Sequence, residues 1–253
     1  MNRFFQSLTL LLLCQILFVP DSHAQFRRRS SEPEQRFSVG LAPFSLMLPS
    51  GKVNLHGEWA YAEDKSVSVI VGIPRRTAAP RWLTEDIRIE GGGKTRTNEF
   101  RSFGMIAENR FYIGAEAPRG FYLAPYARYN RVWLTHTTEN PESQGQTKVV
   151  GAFGGFGFGA SAGLQFRLGK QISLDATIAG VDLKWMRGSL TYSSTDPNND
   201  VVEFRDKVQE AVEHIPLIGP KLSADIDGDK VRVRTPGLLL PAYRFNLTVN
   251  YLF

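Results

Sequence analysis

The closing segment, Tyr243 to Phe253, constrains the fold more than any other stretch of this chain. Tyr243, Phe245, Leu247, Val249, Tyr251 and Phe253 alternate with Arg244, Asn246, Thr248 and Asn250. A strand turns successive side chains to opposite faces, so this segment has one wholly apolar face and one polar face. A half-buried strand of a soluble protein would also show two such faces. Aromatic residues at both ends of the apolar face, in a strand that closes the sequence, match a strand presenting that face to lipid.

The other end of the chain predicts export. Asn2 and Arg3 give a short positive start, Leu8 to Val19 an apolar stretch, and Ser22-His23-Ala24 a small-x-small cleavage site. Such a segment is a secretory signal peptide over 1–24, and it falls short of the ~20 apolar residues that span a bilayer as a helix. Cys14 is the only cysteine and lies within it. Leu13 stands where lipidation would need a small residue, so no lipid anchor is expected. The mature chain then has no thiol for a disulfide or a thiolate metal site, which suits an oxidising compartment. Residues 25–35, with Arg27, Arg28, Arg29, Ser30, Ser31 and Pro33, read as a polar, flexible periplasmic leader.

No later segment is long and apolar enough for a spanning helix. A membrane location then requires a closed sheet, because only helices and closed sheets pair every backbone group in lipid. The mean hydropathy is slightly negative, as expected when only alternate residues face lipid. Eight strands are predicted over 36–253: Phe37–Leu48, Val53–Ala62, Ser66–Ile73, Ser102–Gly114, Phe121–Trp133, Val149–Leu168, Ser173–Tyr192 and Tyr243–Phe253. In the sixth, Phe156, Phe158, Ala160, Ala162, Leu164, Phe166 and Leu168 oppose Gly155, Gly157, Gly159, Ser161 and Gly163. Missing side chains there make room for bulky neighbours inside a tightly curved sheet. In the seventh the phase changes near Ala179-Gly180, which predicts a bulge.

The connectors sort by length. Short turns fall at 63–65, 117–120 and 169–171, and long loops at 74–101, 137–148 and 193–237; the brief connector around 49–52 falls on the long-loop side. Tight turns on one side and long loops on the other are the asymmetry of outer-membrane barrels. The expected fold is all-β: an eight-stranded antiparallel transmembrane barrel with long extracellular loops. One of these, 193–237, should carry an amphipathic helix over Val201–Ile215, with Val201, Phe204, Val208, Ala211, Val212 and Ile215 on one stripe and Pro216 at its end.

Glu108-Asn109-Arg110-Phe111-Tyr112 leads through Pro118-Arg119-Gly120 into Phe121-Tyr122-Leu123-Ala124-Pro125-Tyr126-Ala127-Arg128-Tyr129. On these residues, and on the strand pattern of the whole mature chain, the sequence resembles the small outer-membrane β-barrel proteins of Gram-negative bacteria, of OmpA/OmpX-type architecture. More narrowly, it is similar to a family of uncharacterised outer-membrane barrels. The resemblance implies an outer-membrane location. It also implies that Val249, Tyr251 and Phe253 form the signal read by the barrel-assembly machinery. It brings no established activity with it.

Alternation places Glu58, Glu108, Asp175 and Asp182 on the inward side with Arg110, Arg128, Arg167, Lys184 and Arg244. Eight strands enclose a space that side chains just fill, so a salt-bridged plug is the expectation, with a narrow pore as the alternative. A lipid-modifying enzyme is a further alternative: His56 shares a face with Glu58, but no serine sits at a nucleophile turn. If the apolar faces instead pointed inward, the chain would be a periplasmic, lipocalin-like carrier. No enzyme activity and no cofactor are expected.

Two motif-like strings carry little. Gly91-Gly92-Gly93-Lys94-Thr95 lacks the first glycine of a phosphate loop, where Arg88 stands, and reads as a hairpin turn between 87–89 and 95–97. Asp225-Ile226-Asp227-Gly228-Asp229 has the alternating acids of a calcium loop without its downstream glutamate, and reads as a hairpin leading into Lys230 to Val233. Arg75, Arg76, Arg81, Arg88, Lys94 and Arg96 make the second outer loop basic, suited to the phosphates of lipopolysaccharide. The net charge of +5 does not point to nucleic acid, because no recognition module accompanies it. The expected partners are outer-membrane lipid and lipopolysaccharide, the assembly machinery, and a surface partner reached through 193–237. The expected role is structural or surface-binding.

Overall fold

The computed structural model describes residues 36–43, 45, 51–79, 94–140, 143–195, 223–227 and 230–253. They form nine strands: β1 (Phe37–Leu41), β2 (Lys52–Ala62), β3 (Lys65–Pro74), β4 (Lys94–Ile113), β5 (Gly120–Glu139), β6 (Gln146–Arg167), β7 (Ile172–Ser194), β8 (Ser223–Asp227) and β9 (Lys230–Leu252). Every pairing is antiparallel, in the order β1-β2-β3-β4-β5-β6-β7-β9-β8, and β1 also pairs with β9. Eight strands therefore close into a ring. β8 lies outside it, paired with β9 from Asp227↔Lys230 to Ser223↔Arg234.

Alternation decides which way each side chain points. On β9, Tyr243 is 78 % and Phe245 75 % exposed, whereas Thr248, Asn250 and Leu252 are buried. The apolar face turns outward and the polar face into the ring, the reverse of a carrier with an apolar lumen. β6 follows the same rule: Phe156 and Phe158 are exposed, and Gly155, Gly157, Ser161 and Gly163 line the inside. A β-carbon at Gly163 would overlap the phenol ring of Tyr122, and one at Gly159 the backbone carbonyl of Val181. These glycines let β5, β6 and β7 curve tightly around large interior side chains.

Short turns at 63–64, 114–119 and 168–171 sit at the end of the ring where β1 begins and β9 finishes. The strand ends at Leu41 and Lys52, Pro74 and Lys94, Glu139 and Gln146, and Ser194 lie at the far end. The expected bulge in the seventh strand is present: Ala162 pairs with Ala179 but Gly163 with Thr177. The extra residue restores the phase that puts Asp175, Thr177 and Asp182 on the same buried side.

Several boundaries differ from the sequence reading. The first strand ends at Leu41 rather than Leu48, because Pro43 cannot donate to a ladder and Ser45 folds back, its amide and its hydroxyl both donating to the Ala42 carbonyl. The last strand begins at Lys230 rather than Tyr243 and contains Pro236 and Pro241. Among the described residues, β9 has no strand partner on its β1 side from 235 to 248, and prolines are tolerated on such an edge. β4, β5, β6 and β7 also run further toward the far end than expected. The three expected long loops shrink accordingly, that between β5 and β6 to 140–145. Asp225 and Asp227 lie on β8 as one arm of the expected hairpin. The signal peptide, the leader, the 201–215 helix and the 87–89 arm lie outside the described residues.

Candidate functional site

The candidate site is the interior of the ring, where register brings residues distant in sequence to one level. Glu58 pairs across from Ser68 and Ser68 from Glu108. Two residues along, Ser66 faces Arg110. On the opposite wall Gln165 faces Asp175, and Asp175 faces Thr248. All of these side chains turn inward and are buried.

Arg110 stands at the centre, fully buried. Its Nη2 donates to Glu108 Oε1 at 2.9 Å and to Asp175 Oδ2 at 2.8 Å, and its Nη1 lies 3.4 Å from Glu58 Oε2. The guanidinium also stacks 4.4 Å from the centre of the Tyr122 ring. Arg244 forks onto the same Glu108, with Nη1 2.8 Å from Oε2 and Nη2 3.1 Å from Oε1. Two guanidinium groups thus hold three carboxylates. A planar fork suits this role because it satisfies several oxygens at once.

Neutral donors occupy the remaining carboxylate oxygens. Ser66 donates to Glu58 at 2.5 Å and the Tyr112 hydroxyl donates to the same oxygen at 2.6 Å. Tyr122 donates to Asp175 Oδ1 at 2.8 Å. His56 lies 2.7 Å from both Asn250 Oδ1 and Ser68 Oγ, with its Nε2 3.9 Å from Asp175. Both ring nitrogens are engaged, so His56 is a strut of the network. Burial of charge is tolerated only with this degree of pairing.

The expected charge set divides in three. Glu58, Glu108, Arg110, Asp175 and Arg244 form the central network. Arg128 and Asp182 form a separate pair nearer the far end, with Nη1 3.1 Å from Oδ2. Arg167 and Lys184 face inward as expected and, among the described residues, make no ion pair with the central carboxylates. Arg167 lies at the near-end terminus of β6 and Lys184 two residues beyond Asp182 on β7. Sequence reading overlooked the neutral half of the network: Ser66, Ser68, Tyr112, Tyr122, Gln165 and Asn250. Its signal was present, since each follows the inward parity of its strand.

The basic outer loop is also partly neutralised. Arg96 Nε lies 2.6 Å from Glu139 Oε2, and Glu99 sits between Arg101 at 2.8 Å and Arg76 at 3.7 Å. The hydrogen bond from Arg101, with the charge of Arg76, holds the Glu99 carboxyl below its ordinary range. Arg81 and Arg88 lie outside the described residues. Val249, Tyr251 and Phe253 point outward at the near end, and Tyr251 meets Phe253 edge-on at 4.9 Å.

No protein-family model matches this chain, and no curated protein matches it. Among solved structures, it is similar to the crystal structure of a major outer membrane protein from Thermus thermophilus. The identity is 15 % over 86 % of this chain and 99 % of that one, with a TM-score of 0.40. A likeness at that level does not establish a common fold, and no property of that protein is carried over.

Proposed function

We propose that the ring is an eight-stranded transmembrane β-barrel of the outer membrane with a structural and surface-binding role. The observation that carries this reading is its inverted burial. Arg110 and Asp175 are fully buried inside, while Phe158 is 72 %, Leu183 55 % and Val181 57 % exposed on the outer wall. Soluble monomers rarely expose a contiguous apolar surface larger than a few hundred Å², whereas a lipid-facing wall requires one.

Aromatic rows bound this wall. Near the short turns lie Phe37 stacked on Trp59 at 6.1 Å, together with Phe111, Phe121, Tyr251 and Phe253. Toward the far end Tyr129, Phe156 and Trp185 stand side by side in register. From Phe121 to Tyr129 is ~26 Å along the strand, or ~20 Å vertically at a typical tilt. That approaches the ~25 Å apolar band of outer-membrane barrels. The short turns would then face the periplasm and the long connectors the outside, where envelope glycolipid or a partner is met. Val249, Tyr251 and Phe253 would serve the assembly machinery.

The interior favours a plug over a pore: Tyr122, Gln165, Asp175 and Arg110 occupy its cross-section and expose essentially nothing. His56, with both nitrogens bonded inside the network, serves structure in this reading rather than catalysis. The test is gel mobility of the mature protein from outer-membrane fractions, boiled against unboiled, with flotation on lipid vesicles. A heat-dependent shift and co-flotation are expected. A soluble protein without a shift would sink the membrane assignment.

A further inference from the structure

One cavity of the described structure lies not inside the ring but on its outer face. It is an open cleft of about 1090 Å³ on the outer wall, where β5, β6, β7 and β9 pass beyond the far-end aromatic row of Tyr129, Phe156 and Trp185. Its rim carries Arg131, Arg187 and Arg234, and its floor includes Gly154, Phe156 and Trp185. Register explains the shape. Arg131 faces Gly154 on β6, and Gly154 faces Arg187 on β7. The two arginines therefore stand two strand spacings apart, ~10 Å, with no side chain between them.

Charge at this rim is unbalanced. Arg131 lies 5.2 Å from the Trp133 ring and Arg187 5.9 Å from the Trp185 ring, but among the described residues neither they nor Arg234 have a carboxylate partner. Of the described acids, Glu99 is held by Arg101 and Arg76. Gly154 follows Phe156 by two residues toward the far end, which is ~7 Å beyond the aromatic row. On the proposed membrane orientation this is headgroup depth, and the wall below it, Phe156, Phe158 and Leu183, is where acyl chains would lie.

We infer that this cleft is a binding site for a phosphorylated glycolipid of the outer leaflet. Its phosphate sits in the Gly154 notch between Arg131 and Arg187, with Arg234 on the remaining side. Guanidinium forks bind phosphate oxygens in pairs, and the anion neutralises charges that a lipid interface would otherwise hold at a cost. The inference rests on the membrane orientation proposed above.

The test uses the full mature protein, delipidated in detergent, with purified lipid A in its phosphorylated and dephosphorylated forms. The variants are Arg131→Gln/Arg187→Gln/Arg234→Gln and Arg187→Lys, each first checked for the heat-dependent gel shift. Phosphorylated lipid A should bind the wild type at least about tenfold more tightly than the triple variant, the scale of losing charge-assisted hydrogen bonds. Arg187→Lys should fall between them, and dephosphorylated lipid A should not distinguish wild type from triple variant. Equal binding by shift-positive wild type and triple variant would overturn the site and leave the barrel standing. Cross-linking that instead shows a second copy of the chain seated in the cleft, insensitive to lipid phosphate, would overturn it too. A wild type without a heat-dependent shift would overturn both site and barrel.

Discussion

Arg110 shows what a single residue contributes to this interior. It is enclosed by Glu58, Glu108 and Asp175 and has no exposed surface. Removing it leaves three buried carboxylates with only Arg244 to compensate them. Arg110→Ala should therefore destabilise the protein by about 3–5 kcal/mol, the cost of breaking a buried ion pair from one side. Tyr122→Phe removes one hydrogen bond to Asp175 while leaving the ion pairs, and should cost only about 1.5–3 kcal/mol. Urea unfolding of vesicle-reconstituted protein, followed by tryptophan fluorescence, checks this order. Equal and negligible effects would mean that water reaches the network.

Among the elements, β1 and β6 stand at opposite extremes. β6 pairs along its length with both β5 and β7, whereas β1 closes the ring against β9 over Ser38–Leu41 alone. Amide exchange should consequently be fastest at the β1–β9 seam and slowest in β6. The seam also depends on Gly40, since a β-carbon there would overlap the Asn250 side chain. Gly40→Val should abolish the heat-dependent gel shift, while Gly57→Ala, where a β-carbon meets nothing, should preserve it. Matching behaviour of the two variants would contradict this account of closure. Deleting Phe253 should reduce delivery to the outer membrane in cells yet leave refolding into vesicles intact, because its side chain points outward at the end of β9.

On the plug reading proposed above, the ring is closed at the level of its charge network. The wild-type protein should show no steady conductance in a planar bilayer at neutral pH. A steady open level would displace the plug reading in favour of a pore. The outer wall and the interior obey opposite rules, apolar outside and ionic inside, and this contrast is the reason to look for activity at the surface. On the inference drawn above, a ligand is met at the rim arginines of the β5–β7 cleft and not at the centre of the ring.

Much of this was legible in the chain itself. Strict alternation at Tyr243–Phe253 and Phe156–Leu168 determined which side chains share a face, because a strand has period two whatever it pairs with. The phase change near Ala179 likewise disclosed a bulge, since one extra residue is the only way to restore parity within a strand. Strand ends were less legible: β9 continues through Pro236 and Pro241, where, among the described residues, one of its edges lacks a partner because β1 is short. Tertiary structure alone decided which charges meet. Arg110 and Arg167 have the same inward parity, yet only Arg110 reaches Glu58, Glu108 and Asp175, because register fixes height along the ring and parity does not. The same holds for Arg131, Gly154 and Arg187, which lie far apart in sequence and become neighbours only through the β5–β6–β7 ladder.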